Sequence, residues 1–210
     1  VDVTDPKDMV RRGYDAVSLR YDQVYDAETK YESLLGDLVR RIPAGGTVLD
    51  LGCGSGVPVA RTLAAAGYRV TGIDISEVQV LRARERVPQA EFIHGDATAA
   101  SFDTASFDAV VSLFALIHIP QDEQPLLLRK IAGWLRPGGS FVATTGHGEW
   151  TGIEEDWLGG GAPMWWSHAD AATNRTWIER AGLTVEREEF VPEGDGGHAL
   201  FWASRPGRPE

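Results

Sequence analysis

The stretch VLDLGCGSG, residues 48–56, decides the fold. An apolar run reaches Asp50 and passes into Gly52, Gly54 and Gly56 ahead of a helical pattern. Glycines at such a strand-to-helix turn permit positive φ and let a ligand approach the main chain with no Cβ in the way. The dinucleotide pattern G-x-G-x-x-G needs its last glycine at position 57, which is Val57, so this turn reads G-x-G-x-G. No Lys or Arg lies between Asp50 and Ala60, and Asp50 is itself anionic. The loop therefore suits a cationic or neutral ligand better than a pyrophosphate, which disfavours a nicotinamide-dependent oxidoreductase.

Working outward, short runs rich in Val, Ile and Phe alternate with helical patterns. Strands are expected at 47–51, 69–74, 90–94, 107–114, 140–145, 183–190 and 198–204, and helices at 57–66, 76–86, 121–135 and 170–181. Gly67, Pro88, Pro137 and Gly182 stand at or just beyond the helix ends, and Ser76 and Asp170 are placed to cap two of the helices. The alternation predicts an α/β, doubly wound, Rossmann-like fold with a seven-stranded, mostly parallel sheet, helices on both faces and an antiparallel last strand. One domain is expected over 1–210. It divides into an N-terminal helical cap (1–41), a cofactor-binding core (42–145), a Trp- and Gly-rich acceptor loop (146–168) and a C-terminal helix with strands (169–205), ending in a frayed tail, SRPGRPE.

Asp74 closes the second strand 22 residues after Gly52, the spacing at which a carboxylate accepts from both hydroxyls of a ribose. Asp96 follows the third strand in HGDA (94–97), placed to accept from an exocyclic amine. Together with FDAVVSLFALIHIP (107–120) and LRPGGSFVATT (135–145), these motifs resemble the class I S-adenosylmethionine-dependent methyltransferases of the small-molecule, specialised-metabolite type, over about two thirds of the chain. The resemblance implies S-adenosylmethionine as cofactor and S-adenosylhomocysteine as product. It sets Gly52, Gly54 and Gly56 under the methionine part, Asp74 at the ribose, Asp96 and Ala97 at the adenine and Tyr21 at the methionine carboxylate, with Ile75 and Leu113 also among the cofactor-binding residues. Asp50 keeps two readings: its charge favours the ammonium or sulfonium, or its oxygens bond backbone N–H groups and organise the turn.

A sulfonium methyl is already activated, so in-line transfer needs chiefly alignment, worth about 7–11 kcal/mol, with a base adding about 10²–10⁴-fold. His118, just past the fourth strand at the carboxyl edge, is the expected catalytic base; it equally well packs under its loop or only hydrogen-bonds the acceptor. His94 and His198 read as structural.

Five of the seven tryptophans, Trp150, Trp157, Trp165, Trp166 and Trp177, fall within 28 residues. Trp157, Trp165 and Trp166 are expected to form a lid over an apolar acceptor, joined by Tyr14, Tyr25, His147 and His168; Trp177 is assigned to a helix covering the sheet. Residues 149–195 hold 11 acids against three arginines, and the whole chain carries a net charge of −11, which opposes a nucleic-acid partner. Hydrophobic residues at 43% and charged ones at 24% fit a folded globular chain, and Cys53, the single cysteine, excludes an internal disulfide or a cysteine-rich metal site. The N-terminus lacks a signal-peptide apolar core and no apolar run is long enough to span a membrane, so a cytoplasmic monomer or homodimer with no metal is expected. The expected activity is methyl transfer to an O, N or nucleophilic C atom of a small, aromatic metabolite. The alternatives are an amine, lipid or quinone-precursor acceptor, or a cofactor-binding protein without turnover.

Overall fold

The structure, a computed structural model, describes residues 5–25 and 31–207. The rest of the expected cap and tail, at 1–4, 26–30 and 208–210, lies outside the described residues. A seven-stranded sheet is built from β1 (Thr47–Leu51), β2 (Arg69–Asp74), β3 (Glu91–His94), β4 (Phe107–Ser112), β5 (Leu135–Gly146), β8 (Thr184–Glu193) and β9 (Gly196–Ser204), in the order β3-β2-β1-β4-β5-β9-β8. Strands β1 to β5 run parallel, and β9 is antiparallel to both β5 and β8. The order changes direction at β1, whose neighbours are β2 and β4, and such a switch point opens a crevice at the carboxyl ends of the strands.

Central strands bury both faces, which is why β1 and β4 read as near-continuous apolar runs. One face carries Val48, Leu63, Val80, Val111 and Trp202 under α2 (Glu32–Arg41), α3 (Val59–Ala65) and α4 (Glu77–Arg86). The other carries Leu49, Val110, Leu127, Ile131, Phe141 and Phe201 under α5 (Gln124–Trp134) and α6 (Ala171–Arg180). Ser76 and Asp170 cap α4 and α6 as expected, accepting from the backbone N–H groups of Gln79 and Thr173.

Two elements roof the carboxyl edge. The long N-terminal helix α1 (Pro6–Tyr25) lies along α4, where Asp22 pairs with Arg82 and Arg86, and Ser76 donates to Asp15 at 2.6 Å. Residues 146–168, expected as a loop, instead contain a hairpin of β6 (Trp150–Glu154) and β7 (Met164–His168). Reading WTGIE and MWWSH as loop missed the alternation because glycines and tryptophans masked it; the hairpin forms because cross-strand pairing satisfies its backbone groups. Val10 and Val17 of α1 meet Trp157 and Met164 in a third cluster. Gly13 makes the approach possible: a Cβ there would stand 2.7 Å from the Met164 methyl. Among the described residues, no helix is long and apolar enough to cross a membrane.

Phe141 is fully buried at the centre of the sheet. Phe141→Ala should cost about 3–5 kcal/mol of unfolding free energy, read from urea denaturation; a loss under about 1 kcal/mol would mean that the core is not packed as described.

Candidate active site

The glycine turn is held from the next strand. Ile73 O accepts the N–H groups of Gly52 and Cys53 at 2.8 and 3.1 Å. Asp74 Oδ2 accepts Gly54 N–H at 2.8 Å and its Oδ1 accepts Ser76 N–H at 2.9 Å. Gly52 has φ +76°, and a Cβ there would fall 2.2 Å from that of Ala115; Gly54 has φ +52°, and a Cβ there would reach Gln79 Nε2 at 4.0 Å, an ordinary contact. Gly56 does a different job from the one expected. It does not line the cavity, and its missing Cβ gives room to Ala83, Val87 and Phe92 in the packing of α4 and β3.

A cavity of about 440 Å³ runs along this edge. Of the expected cofactor residues, Tyr21, Asp50, Gly52, Gly54, Asp74, Ile75, Asp96, Ala97 and Leu113 line it. Of the expected acceptor residues, Tyr14, Tyr25, His118, Trp157, Trp166 and His168 line it as well. Trp165 and His147 do not: Trp165 contributes its carbonyl to His118, and the His147 ring packs on Phe190 with centroids 4.8 Å apart. Both leave the set of cavity-wall side chains for the same reason, the alternation of the strand and the turn of the chain after β5.

Burial pulls the ionisable groups in opposite directions. Asp50 is pushed up to about 7, first by burial and then by the charge of Asp74, against the opposing hydrogen bond from Ala60 N–H at the start of α3. That bond supports the turn-organising reading of Asp50, while its place in the cavity wall leaves the carboxylate available to a cation. Asp74 is raised by burial, offset in part by the N–H groups of Ser76 and Gly54. Asp96 is also partly desolvated, but the Lys7 ammonium at 2.7 Å and Thr98 N–H outweigh this and hold it below the usual carboxylate range.

His118 departs from the ordinary basicity on which its expected role as a base rested. Its burial drives the pKa down to about 4, with Trp165 O opposing. Nδ1 lies 2.8 Å from that carbonyl, which only accepts, so the proton sits on Nδ1 and the Nε2 lone pair accepts from Tyr14 O–H at 3.0 Å. Both nitrogens are thus engaged, and at pH 7 the ring is a neutral hydrogen-bonding post.

Several wall residues carried no functional reading from the sequence. Lys7, on α1, bridges Asp96 and Glu123, each at 2.7 Å. Gln79 lines the cavity with its Nε2 buried and without a partner, as does Trp166 with its Nε1. His198, read as structural, lines it beside Glu193 and Phe114. A period-2 or period-3.6 pattern cannot flag these, because their roles come from the crossing of α1, α4 and β9 over one edge. Among the described residues there is no cluster of three or more His, Cys, Asp or Glu side chains fit to hold a metal ion.

A glycine turn pinned by the acid of the next strand, at the switch point of a sheet with this order, is the construction of the class I S-adenosylmethionine-dependent methyltransferases. Residues 48–139 match a family model described as a methyltransferase domain. The chain is 35% identical over 155 residues to 27-O-demethylrifamycin SV methyltransferase of Amycolatopsis mediterranei, covering 63% of this chain and 56% of that protein. It is 40% identical over 104 residues to 2-methyl-6-phytyl-1,4-hydroquinone methyltransferase of Synechocystis, covering 48% of this chain and 32% of that one. The chain thus spans about half or less of the length of these relatives. Magnesium protoporphyrin IX methyltransferase of Synechocystis, solved with bound S-adenosylmethionine, shares the fold at a TM-score of 0.76 and 20% identity, over 98% of this chain and 99% of that one.

Because His118 is refused a proton down to about pH 4 in the native state but takes one near 6.5 when unfolded, its contribution to stability is lost as pH falls through that window. Replacing it by Gln removes this loss. The stability of His118→Gln relative to the parent should therefore improve by about 2 kcal/mol between pH 7 and pH 5 in urea denaturation, whereas an unchanged gap would contradict the depressed pKa.

Proposed function

We propose that this protein methylates a small, largely apolar or aromatic metabolite with S-adenosylmethionine as methyl donor. The observation that carries the reading is the continuity of one cavity, in which the glycine turn with Asp74 and Asp96 gives way to a chamber walled by Tyr14, Tyr21, Trp157, Trp166 and His118. The residues present fit the cofactor. Gly52 and Gly54 take left-handed backbone and bring no side chain into the cavity, Asp74 and Asp96 offer carboxylate oxygens to hydroxyls and an amine, and Gln79 Nε2 is a buried donor with no acceptor among the described residues. When bound, the cofactor supplies a sulfonium-activated methyl group.

The remaining work falls to the chain. Asp50, unpaired by any cation and poised near neutrality, gains a partner when a positive charge enters the cavity, so its ionised form is favoured by the ligand. The aromatic walls exclude water and orient a flat acceptor through edge-to-face contacts such as Tyr14 with Trp157 at 5.3 Å and Trp157 with Trp166 at 5.6 Å. Tyr14 of α1 and His118 form a fixed pair in the wall of this chamber, the phenol keeping lone pairs for an acceptor hydroxyl. Alignment in a dry site supplies most of the barrier lowering, with acid–base help second. The names of the two relatives, a rifamycin derivative's and a hydroquinone's methyltransferase, support an acceptor of this class. Among the described residues no cluster of Lys and Arg lines the cavity, where Lys7 is the one cation and is already paired, which favours a small molecule over nucleic acid.

Calorimetry should show S-adenosylhomocysteine binding to the parent chain and at least about tenfold weaker binding to Asp74→Asn, which loses the ionised acceptor at the end of β2. Incubation with methyl-labelled cofactor and a metabolite extract, read by mass spectrometry, should yield a small aromatic or apolar product bearing one labelled methyl. Label found instead in RNA or protein, with none in small molecules, would reverse the reading.

A further inference from the structure

Two histidines in the cavity wall differ in which nitrogen is already spoken for. In His118 the Nδ1 proton goes to Trp165 O and the Nε2 lone pair to Tyr14 O–H, so no base is left over. In His198, Nε2 lies 2.9 Å from Glu193 Oε2, while Nδ1 is buried with no hydrogen-bond partner among the described residues. A carboxylate only accepts, which fixes the proton of the neutral ring on Nε2 and leaves an unshared pair on Nδ1.

The fold explains how this residue reaches the site. Strand β9 runs antiparallel to β5, so its first residues stand at the carboxyl edge, and His198 pairs in register with Gly146, the last residue of β5. Phe114, also in the cavity wall, meets the imidazole edge-on at 5.0 Å and 88° and fixes the plane of the ring. A buried lone pair with nothing to accept from among the described residues is a standing cost, and here it belongs to a wall residue of the cavity described above.

We propose that His198, oriented by Glu193, receives the acceptor: Nδ1 accepts a hydrogen bond from an aromatic hydroxyl and takes its proton as methyl transfer proceeds. The inference rests on the methyltransferase reading above and narrows its substrate to a molecule with a proton to give beside a flat ring. In balance, the acceptor oxygen bonds the methyl carbon and the carbon–sulfur bond breaks with its electron pair remaining on sulfur. The hydroxyl proton passes to Nδ1, and the resulting imidazolium, stabilised by Glu193, later returns it to water. Glu193 is a positioning residue, setting the tautomer through Nε2–H.

The test uses the full chain labelled with nitrogen-15, with histidine side-chain nitrogens and backbone amides read by NMR in the presence of S-adenosylhomocysteine. Naphthol is the probe and naphthalene, the same ring without the hydroxyl, its control. His198 should be the Nε2–H tautomer, its Nδ1 signal should shift on adding naphthol and not naphthalene, and Glu193→Gln should populate the opposite tautomer. His198→Gln should weaken naphthol binding about tenfold while S-adenosylhomocysteine affinity stays within about twofold. An Nδ1–H tautomer, equal responses to the two probes, or no response to naphthol up to its solubility limit would overturn the inference. The amide signals of Gly52 and Gly54 separate the two levels. If S-adenosylhomocysteine leaves them unmoved, the methyltransferase reading fails; if they move and His198 does not respond, only this inference fails.

Discussion

Asp74 ties the site together. Its carboxylate accepts Gly54 N–H from the glycine turn and Ser76 N–H from the start of α4, so one side chain at the end of β2 sets the shape of two adjoining loops. The turn has little else to define it, because its glycines impose no rotamer and its backbone N–H groups need partners wherever they are buried. Ile73 O and Asp74 supply those partners, and the price is a carboxylate held in a desolvated position. A ligand with hydroxyls to donate reduces that strain without dismantling the turn, since each carboxylate oxygen accepts more than one bond.

Strand polarity then decides what else gathers there. The carboxyl ends of β1, β2 and β4 converge on the crevice at the switch point, and the antiparallel β9 adds its beginning rather than its end. Helix α1 and the β6–β7 hairpin close the top through Val10, Val17, Trp157 and Met164. Lys7 fastens the near end of α1 to Asp96 and Glu123, while Asp22 fastens the far end to Arg82 and Arg86 of α4. The roof is therefore held by apolar packing at its centre and by ion pairs at both ends.

Electrostatics inside this chamber are governed by desolvation. Burial raises Asp50 to about 7 and lowers His118 to about 4, so each group drifts toward its neutral form near physiological pH. A neutral imidazole held by Trp165 O and Tyr14 has both ring nitrogens engaged, whereas His198 keeps an Nδ1 with no partner among the described residues. Here the chemistry follows from counting lone pairs and protons, not from the presence of histidine at the expected edge.

How much of this was legible beforehand varies with how local its cause is. The glycine turn, Asp74 after β2, Asp96 after β3 and the caps Ser76 and Asp170 are set by residue type and spacing within a few tens of residues, and the sequence determines them along with the seven strands. The β6–β7 hairpin was hidden because the glycines between and within its short strands carry weak strand signals and the segment reads as loop, while pairing across the turn decides it. Gly56, Trp165 and His147 moved out of the cavity wall, and Lys7, Gln79, Glu193 and His198 moved in, because membership depends on which elements cross the edge. Whether a histidine has a free lone pair is likewise set by neighbours 47 or 104 residues away, as Trp165 and Tyr14 are from His118. The sequence by itself determined the sheet, the turn and the acids at its edge; only the tertiary structure decided the protonation and partners of the other groups in the cavity wall, because those depend on burial and on contacts between distant segments.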